Sequence, residues 1–250
     1  MLDNTFIHLP NFGPNRERKL WYSGVKNWDD FLERFGESTY HQGQCRTVAS
    51  SRHALKSNDA QYFAEALPRN EAWRCFPHFS RTAYLDIETT GLSAESNDLT
   101  VVGIYDGENT KSYIDGQNLD ELYKDVKKFD MVVTFNGSLF DVPFLKKSMR
   151  GIEIPKLHVD LRFVLSSLNI RGGLKNIERQ FGLEREGDLR GLTGYDAVLL
   201  WQRYKKRNDK AALDKLVRYN AADISNLKML LDWAYKEKRK ETGFDNYRKN

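Results

Sequence analysis

The feature that most constrains the fold of this chain is an apolar run, Ala83 to Ile87, that acidic residues enter at its end. The run predicts a short buried strand, and side chains two apart on a strand project from the same face. Asp86 and Glu88 therefore place two carboxylates side by side where the strand leaves its sheet. Two buried like charges are costly unless something neutralises them, which divalent cations do. The alternative is a strand end that carries two solvated acids, which is common in proteins.

The residues after this strand alternate between strand and helix patterns. Apolar runs predict four further strands, and the turn Asp106-Gly107 predicts a hairpin between the first two of them. A helix is predicted from apolar residues at helical spacing in 119–128. Three meandering strands, a helix and a fourth strand indicate an α/β fold with a mixed five-stranded sheet flanked by helices. The four strands are predicted at 99–105, 111–114, 131–135 and 158–161.

The last third of the chain is predicted to be helical and is basic. Residues 164–250 carry 19 Lys or Arg and 12 Asp or Glu, a net charge of +7, whereas residues 80–163 have a net charge of −4. An acidic centre beside a basic region suits a metal site that handles a polyanion such as nucleic acid. The helices are predicted at 172–182, at 195–206 and, as one or two helices, at 211–236.

Residues 1–79 form a separate helical region in this interpretation, 80–240 form the α/β domain, and 241–250 form a C-terminal tail. Pro14 marks the start of a first short helix and Asn27 caps a second one. The stretch 6–33 resembles a helix-hairpin-helix element, in which a glycine-rich hairpin offers backbone amides to phosphate. The alternative is a small helical cap that packs its aromatic residues, Trp21, Trp28 and Phe31.

Composition limits the compartment and the class of protein. No apolar run approaches membrane-spanning length, and the first residues lack the pattern of a signal peptide. Two cysteines, Cys45 and Cys75, do not make a disulfide framework. We therefore expect a cytoplasmic protein without a membrane partner.

Two further polar clusters follow buried elements. Asn136 and Asp141 come just after the predicted strand 131–135, where Asp141 opens a new helix and could simply cap it. Tyr219 and Asp223 are four residues apart on a predicted helix and therefore share one of its faces. Each of these clusters is common in proteins and does not by itself indicate a function.

The order and residue types of the three clusters resemble the motifs of DEDD-type 3′→5′ exonucleases, whose fold is ribonuclease H-like. The tyrosine four residues before the last aspartate matches the DEDDy branch. Within 80–236, three blocks resemble the bacterial predicted exonucleases of YprB type. They are Tyr84-Leu-Asp-Ile-Glu-Thr-Thr-Gly-Leu92, Gly172-Gly-Leu-Lys-Asn-Ile-Glu178 and Tyr219-Asn-Ala-Ala-Asp-Ile224.

This resemblance implies a site for two divalent cations, Mg²⁺ or Mn²⁺, held by four carboxylates. Asp86 would bridge both ions, Glu88 and Asp223 would complete one of them, and Asp141 would hold the other. Tyr219 would orient the attacking water. The expected reaction is hydrolysis of phosphodiester bonds at the 3′ end of single-stranded nucleic acid, with release of nucleoside monophosphates. The residues expected to contact the substrate are Thr89, Leu92, Asn136, Phe140 and Lys175.

The sequence is compatible with three hypotheses of function. The first is a metal-dependent exonuclease acting on DNA or RNA. The second is a nucleic-acid-binding module that keeps the fold without turnover, and the intact set of four acids and one tyrosine argues against it. The third is an endonuclease on the same fold.

Overall fold

A computed structural model describes residues 1–183, 185 and 187–248 of the chain. The chain divides into two compact units. The first unit contains residues 1–80, 156–159 and 232–250, and the second contains residues 81–155 and 160–231. Residues 241–248, part of the predicted C-terminal tail, group with the N-terminal residues in this division.

The first unit is helical in its N-terminal part. Pro14 begins α1, and Asn27 caps α2 through a reciprocal pair of hydrogen bonds with Asp30. Asn11, in the turn before α1, has a φ of 63°, the left-handed conformation that glycine adopts most readily. The four helices are α1 (Pro14–Tyr22), α2 (Trp28–Phe35), α3 (Gln42–Lys56) and α4 (Ala60–Ala66).

Aromatic side chains form the interior of this unit. Trp21, Trp28 and Phe31 are all buried, as expected for a helical cap. The indole of Trp21 lies 5.0 Å from the ring of Phe244, measured between centroids. Burial of such large rings contributes about 1.5–3 kcal/mol each, which gives this small unit a core of its own.

A mixed five-stranded sheet is present, and it confirms the predicted fold class. The strand order is β3-β2-β1-β4-β5, so β1 is the central strand. β1 is antiparallel to β2 and parallel to β4. The strands are β1 (Thr82–Thr89), β2 (Leu99–Tyr105), β3 (Thr110–Ile114), β4 (Met131–Thr134) and β5 (Leu157–Asp160). Each of the five predicted strands is present.

Helices flank this sheet, and the apolar runs of its strands are buried. The helix predicted over 119–128 is a single short helix between two 3₁₀ turns, yet its apolar residues Leu122 and Val126 are fully buried. The pattern 211–236 belongs to one helix of 33 residues. The remaining helices are α5 (Leu122–Asp125), α6 (Asp141–Ser148), α7 (Leu161–Ser167), α8 (Leu174–Gln180), α9 (Gly194–Arg207), α10 (Lys210–Thr242) and α11 (Phe244–Arg248). None of the helices in the described part of the chain has the length and apolarity of a membrane span.

Candidate active site

Two acidic side chains lie on one face of the central strand, near its end. Asp86 pairs with Gly103 of β2 and Glu88 pairs with Val101, so the acids occupy alternate positions of one antiparallel ladder. Alternate positions of a strand face the same way. Asp86 is half-buried and Glu88 is buried. The predicted pair of adjacent carboxylates is therefore present on this strand.

Helix α10 supplies a third carboxylate to the same place. Asp223 and Tyr219 lie one turn apart on one face of α10. Asp86, Glu88 and Asp223 each offer a carboxylate oxygen, and these three atoms all lie within 4.8 Å of one another. The first and third polar clusters of the sequence are thus brought together by the fold.

The fourth acid, Asp141, is the first residue of α6 and is buried. Its Oδ1 accepts a hydrogen bond of 3.1 Å from the backbone amide of Ile87. Because Ile87 stands between Asp86 and Glu88, this bond holds the Asp141 carboxylate against the acidic part of β1. The helix N-terminus also favours a negative charge at this position.

Burial raises the pKa values of all four carboxyl groups, and neighbouring carboxylates add to the effect. Burial raises the pKa of Asp141 to about 7. Burial also raises the pKa of Asp223 to about 6, against the opposing effect of Arg185. The pKa values of Asp86 and Glu88 lie well above their usual range, first through burial and then through the neighbouring carboxylates. The site is therefore short of positive charge.

This donor set fits a hard divalent cation. All four side chains offer oxygen ligands, which Mg²⁺ and Mn²⁺ prefer. Among the described residues, the metal-ligating group contains carboxylates and neither histidine nor cysteine. A divalent cation would offset both the burial and the mutual repulsion of these charged groups.

Asn220 positions the central carboxylate, and sequence reasoning missed it. This residue follows Tyr219 on α10 and is fully buried. Its Nδ2 donates a hydrogen bond of 2.9 Å to Oδ2 of Asp86 and one of 3.3 Å to the backbone oxygen of Asp86. The hydrogen bond to the carboxylate favours its charged form and fixes its orientation.

Gly103 makes room for Asn220. A Cβ atom at position 103 would lie 2.0 Å from Oδ1 of Asn220 and 2.9 Å from Cδ1 of Ile224. A larger residue would force these two side chains of α10 to move, so glycine allows them to lie against β2 opposite Asp86. A glycine inside a predicted strand often marks a close approach of another element, so Gly103 was the available signal.

Two cationic side chains lie close to the ring of Tyr219. Its side chain is buried, Nζ of Lys175 lies 4.6 Å from the centroid of its ring, and Cζ of Arg185 lies 5.1 Å from it. Burial, followed by the charges of Asp223 and Glu88, raises the pKa of Tyr219 above its ordinary value. The hydroxyl therefore stays protonated at neutral pH.

The residues expected to contact substrate differ in exposure. Leu92 is 88% exposed, so it is free to meet a ligand. Thr89 is buried, and its Oγ1 donates a hydrogen bond of 2.6 Å to the backbone oxygen of Gly91. Phe140 precedes α6 and packs partly on the core, where its ring centroid lies 5.6 Å from that of Phe144.

The loop after β4 is held by Asp160. The backbone amide of Asn136 donates a hydrogen bond of 2.8 Å to Oδ1 of Asp160, and the amide of Ser138 donates one of 3.0 Å to Oδ2. Asn136 adopts a φ of 69°, and its Oδ1 accepts from Nη1 of Arg162. Asp160 therefore fixes the conformation of the loop that carries Asn136.

We expect divalent cations to stabilise this protein more at high pH than at low pH. A carboxyl whose pKa is raised by folding contributes stability that is fully present below its unfolded pKa, near 4, and is lost as the pH rises through the folded pKa. The folded pKa through which this stability is lost is about 6 for Asp223 and about 7 for Asp141. Mn²⁺ should therefore raise the melting temperature of EDTA-treated protein by several degrees more at pH 8 than at pH 5.5, as measured by calorimetry.

His8 requires a control in this experiment, because burial lowers its pKa to about 4. Its contribution to stability is present above pH 6.5 and is lost as the pH falls, opposite to that of the carboxyls. The shift caused by Mn²⁺ is therefore compared at each pH with that of an Asp86→Asn/Asp223→Asn variant. Equal Mn²⁺ shifts at the two pH values, or an undiminished shift in the variant, would contradict the prediction.

Comparison with known proteins identifies a matching family. A family model described as RNase_H superfamily matches residues 83–235, which is more than half of the chain. A search of curated proteins finds no match.

Three solved structures are similar to this chain. The family B DNA polymerase from the hyperthermophilic archaeon Pyrobaculum calidifontis has 17% identity and a TM-score of 0.48, over 60% of this chain and 24% of the polymerase. The chain thus spans about a quarter of that polymerase. A structure described as the apo form of the nuclease has 16% identity and a TM-score of 0.45, over 73% of this chain and 84% of the other. Brucella melitensis NrnC with bound Mg²⁺ has 19% identity and a TM-score of 0.44, over 67% of this chain and 80% of the other.

Proposed function

This chain belongs to the RNase H superfamily, and on that premise we propose that it is a metal-dependent 3′→5′ exonuclease of the DEDDy type. It removes nucleoside monophosphates from the 3′ end of single-stranded nucleic acid and belongs with the YprB-type predicted exonucleases. The observation that carries this function is the cluster of Asp86, Glu88 and Asp223 within 4.8 Å, with Tyr219 one helical turn from Asp223. The free thiols of Cys45 and Cys75 suit a cytoplasmic location.

Asp86, Glu88, Asp141 and Asp223 would hold Mg²⁺ or Mn²⁺, which would supply charge neutralisation at the phosphate and activation of water. The hydrolysis consumes one water molecule. A bond forms between the water oxygen and phosphorus, and the bond from phosphorus to the 3′ oxygen breaks. The water gives up one proton, the 3′ oxygen takes up one proton, and the shortened strand leaves with a 3′-hydroxyl. The products are a nucleoside 5′-monophosphate and a strand shortened by one nucleotide.

The protein's own side chains orient the reactants. The protonated hydroxyl of Tyr219 holds the attacking water, because the raised pKa of Tyr219 makes it a hydrogen-bond donor and not a base. Asn220 keeps the Asp86 carboxylate in one orientation. Lys175, close to the Tyr219 ring, contributes a positive charge for the phosphate.

Residues around the carboxylates would hold the terminal nucleotide. The exposed side chain of Leu92 packs on the terminal base, and Asn136 contacts the terminal sugar. Thr89 and Phe140 complete this contact surface. DNA and RNA are alternative substrates, which differ at the terminal sugar in the 2′-hydroxyl.

The proposed function is tested with 5′-labelled single-stranded DNA and RNA of the same sequence, in Mn²⁺ and in EDTA. We expect a ladder that shortens from the 3′ end in Mn²⁺ only. A circular single-stranded DNA should stay intact, because it has no 3′ end. Early cutting of the circle would favour the endonuclease, and binding without shortening in every metal would favour a non-catalytic binding module.

A further inference from the structure

Arg185 is a buried cation beside the candidate site, and its role is not explained by the four carboxylates. It lies between α8 and α9, and its side chain is only 7% exposed. Its Nε and Nη2 donate to Oε2 of Glu178 at 3.1 and 2.8 Å. Nη2 also contacts Oδ1 of Asp223. The guanidinium is therefore held between an acid of α8 and an acid of the site.

Glu178 is built to hold this arginine. Its side chain is 2% exposed, and its Oε1 accepts a hydrogen bond of 2.9 Å from Nδ2 of Asn226. A carboxylate fixed from both sides gives Arg185 little freedom to turn. Because Glu178 cancels the charge of Arg185, the pair adds no net charge with which to neutralise the four acids. The arginine must therefore serve a purpose that requires its geometry.

One donor of Arg185 is left without an acceptor. Nη1 is buried and has no hydrogen-bond partner among the described residues. Leaving a buried donor unpaired is energetically costly, and more so when the donor is charged. Such a cost is tolerated where a ligand supplies the missing acceptor.

The position of Arg185 identifies the kind of acceptor. Its Cζ lies 5.1 Å from the centroid of the Tyr219 ring, which Nζ of Lys175 also approaches to 4.6 Å. Two cations thus meet at the tyrosine that is proposed to hold the attacking water. The group that must come to this point during hydrolysis is the scissile phosphodiester, and guanidinium is well suited to bind phosphate oxygens.

We propose that Arg185 is a catalytic residue whose Nη1 donates a hydrogen bond to a non-bridging oxygen of the scissile phosphate. Negative charge grows on that oxygen as water attacks phosphorus, so the bond strengthens in the transition state. Glu178 is the positioning residue that aims the guanidinium. This inference rests on the proposed function, because it assigns a residue to the same reaction.

The test uses an Arg185→Met/Glu178→Gln double variant, which removes the arginine without leaving a buried, unpaired carboxylate. We expect it to cleave labelled DNA about 10²–10³-fold more slowly than the parent in single-turnover assays. In saturating Mn²⁺, it should bind a nucleoside 5′-monophosphate at least about tenfold more weakly by calorimetry. Its Mn²⁺ affinity should stay within about threefold of the parent, because the net charge is unchanged.

Arg218→Met is the matched control. Arg218 also binds two carboxylates, those of Asp188 and Asp214, but on an exposed face of α10. This variant should cleave and bind nucleotide like the parent. A second variant, Arg185→Lys, keeps the positive charge but loses the paired donors of the guanidinium. If the double variant unfolds, Arg185→Lys is assayed in its place and should retain only part of the parent rate.

The outcomes separate the possible failures. A double variant that cleaves and binds nucleotide like the parent would overturn the role of Arg185 and leave the exonuclease intact. A loss of Mn²⁺ affinity as large as the loss of rate would show that Arg185 only positions Asp223, which also overturns the proposal. A parent protein that does not cleave in any metal would remove both this inference and the proposed function.

Discussion

Replacing Asp86 with asparagine is expected to slow release of the 3′ nucleotide by about 10³-fold or more. Asp86 lies on the central strand, within 4.8 Å of the carboxylates of Glu88 and Asp223, and Asn220 orients it. The substitution keeps the shape of the side chain and removes its charge. A bound divalent cation supplies several kcal/mol of transition-state stabilisation, and each 1.4 kcal/mol corresponds to about tenfold in rate. Single-turnover cleavage of a 5′-labelled oligonucleotide in Mn²⁺ measures this loss.

An exposed aspartate on α10 provides the control for Asp86. Asp214 forms an ion pair of 2.9 Å with Arg218 on the helix surface, so Asp214→Asn removes the same charge outside the site. This control should cleave within about twofold of the parent, since exposed pairs contribute little. An Asp86→Asn protein that retained the parent rate would leave no role for the acidic cluster in catalysis.

The strands and the helix that hold the site residues were predictable, because local sequence patterns indicate them. Apolar runs located all five strands, and the alternation of acids placed Asp86 and Glu88 on one face of β1. The spacing of Tyr219 and Asp223 placed them on one helix face. That these residues meet was implied only by the family resemblance, since no local pattern measures the distance between a strand and a helix far along the chain.

The supporting contacts were not predictable for the same reason. Asn220 looks like any polar helix residue until α10 lies against Gly103, where its amide reaches Asp86. Arg185 lies in a basic region, where a solvated arginine is the ordinary expectation. Its burial depends on Glu178, an acid within a helix whose side chain turns inward. These residues become visible only when tertiary packing removes them from water.

Removal of the Tyr219 hydroxyl is expected to slow cleavage by about 10²-fold while Mn²⁺ binding is kept. Phenylalanine fills the same buried space and keeps the ring that Lys175 and Arg185 approach. What it loses is the hydrogen bond to the attacking water. Because burial and nearby acids raise the pKa of Tyr219, the parent hydroxyl does not ionise between pH 6 and 9. The pH–rate profiles of parent and Tyr219→Phe should therefore have the same shape in this range and differ only in height.

Tyr204→Phe is the matched control for this experiment. The Tyr204 hydroxyl accepts a hydrogen bond of 3.1 Å from Nε2 of Gln117 at an exposed position, so its loss should leave cleavage unchanged. Manganese affinity, measured by titration, should be the same in Tyr219→Phe, Tyr204→Phe and the parent, because neither phenol belongs to the group of carboxylate ligands. Equal cleavage rates in Tyr219→Phe and the parent would remove the tyrosine from the reaction. A changed pH profile in Tyr219→Phe would instead mean that the hydroxyl titrates and acts as a base, against the direction in which its surroundings move its pKa.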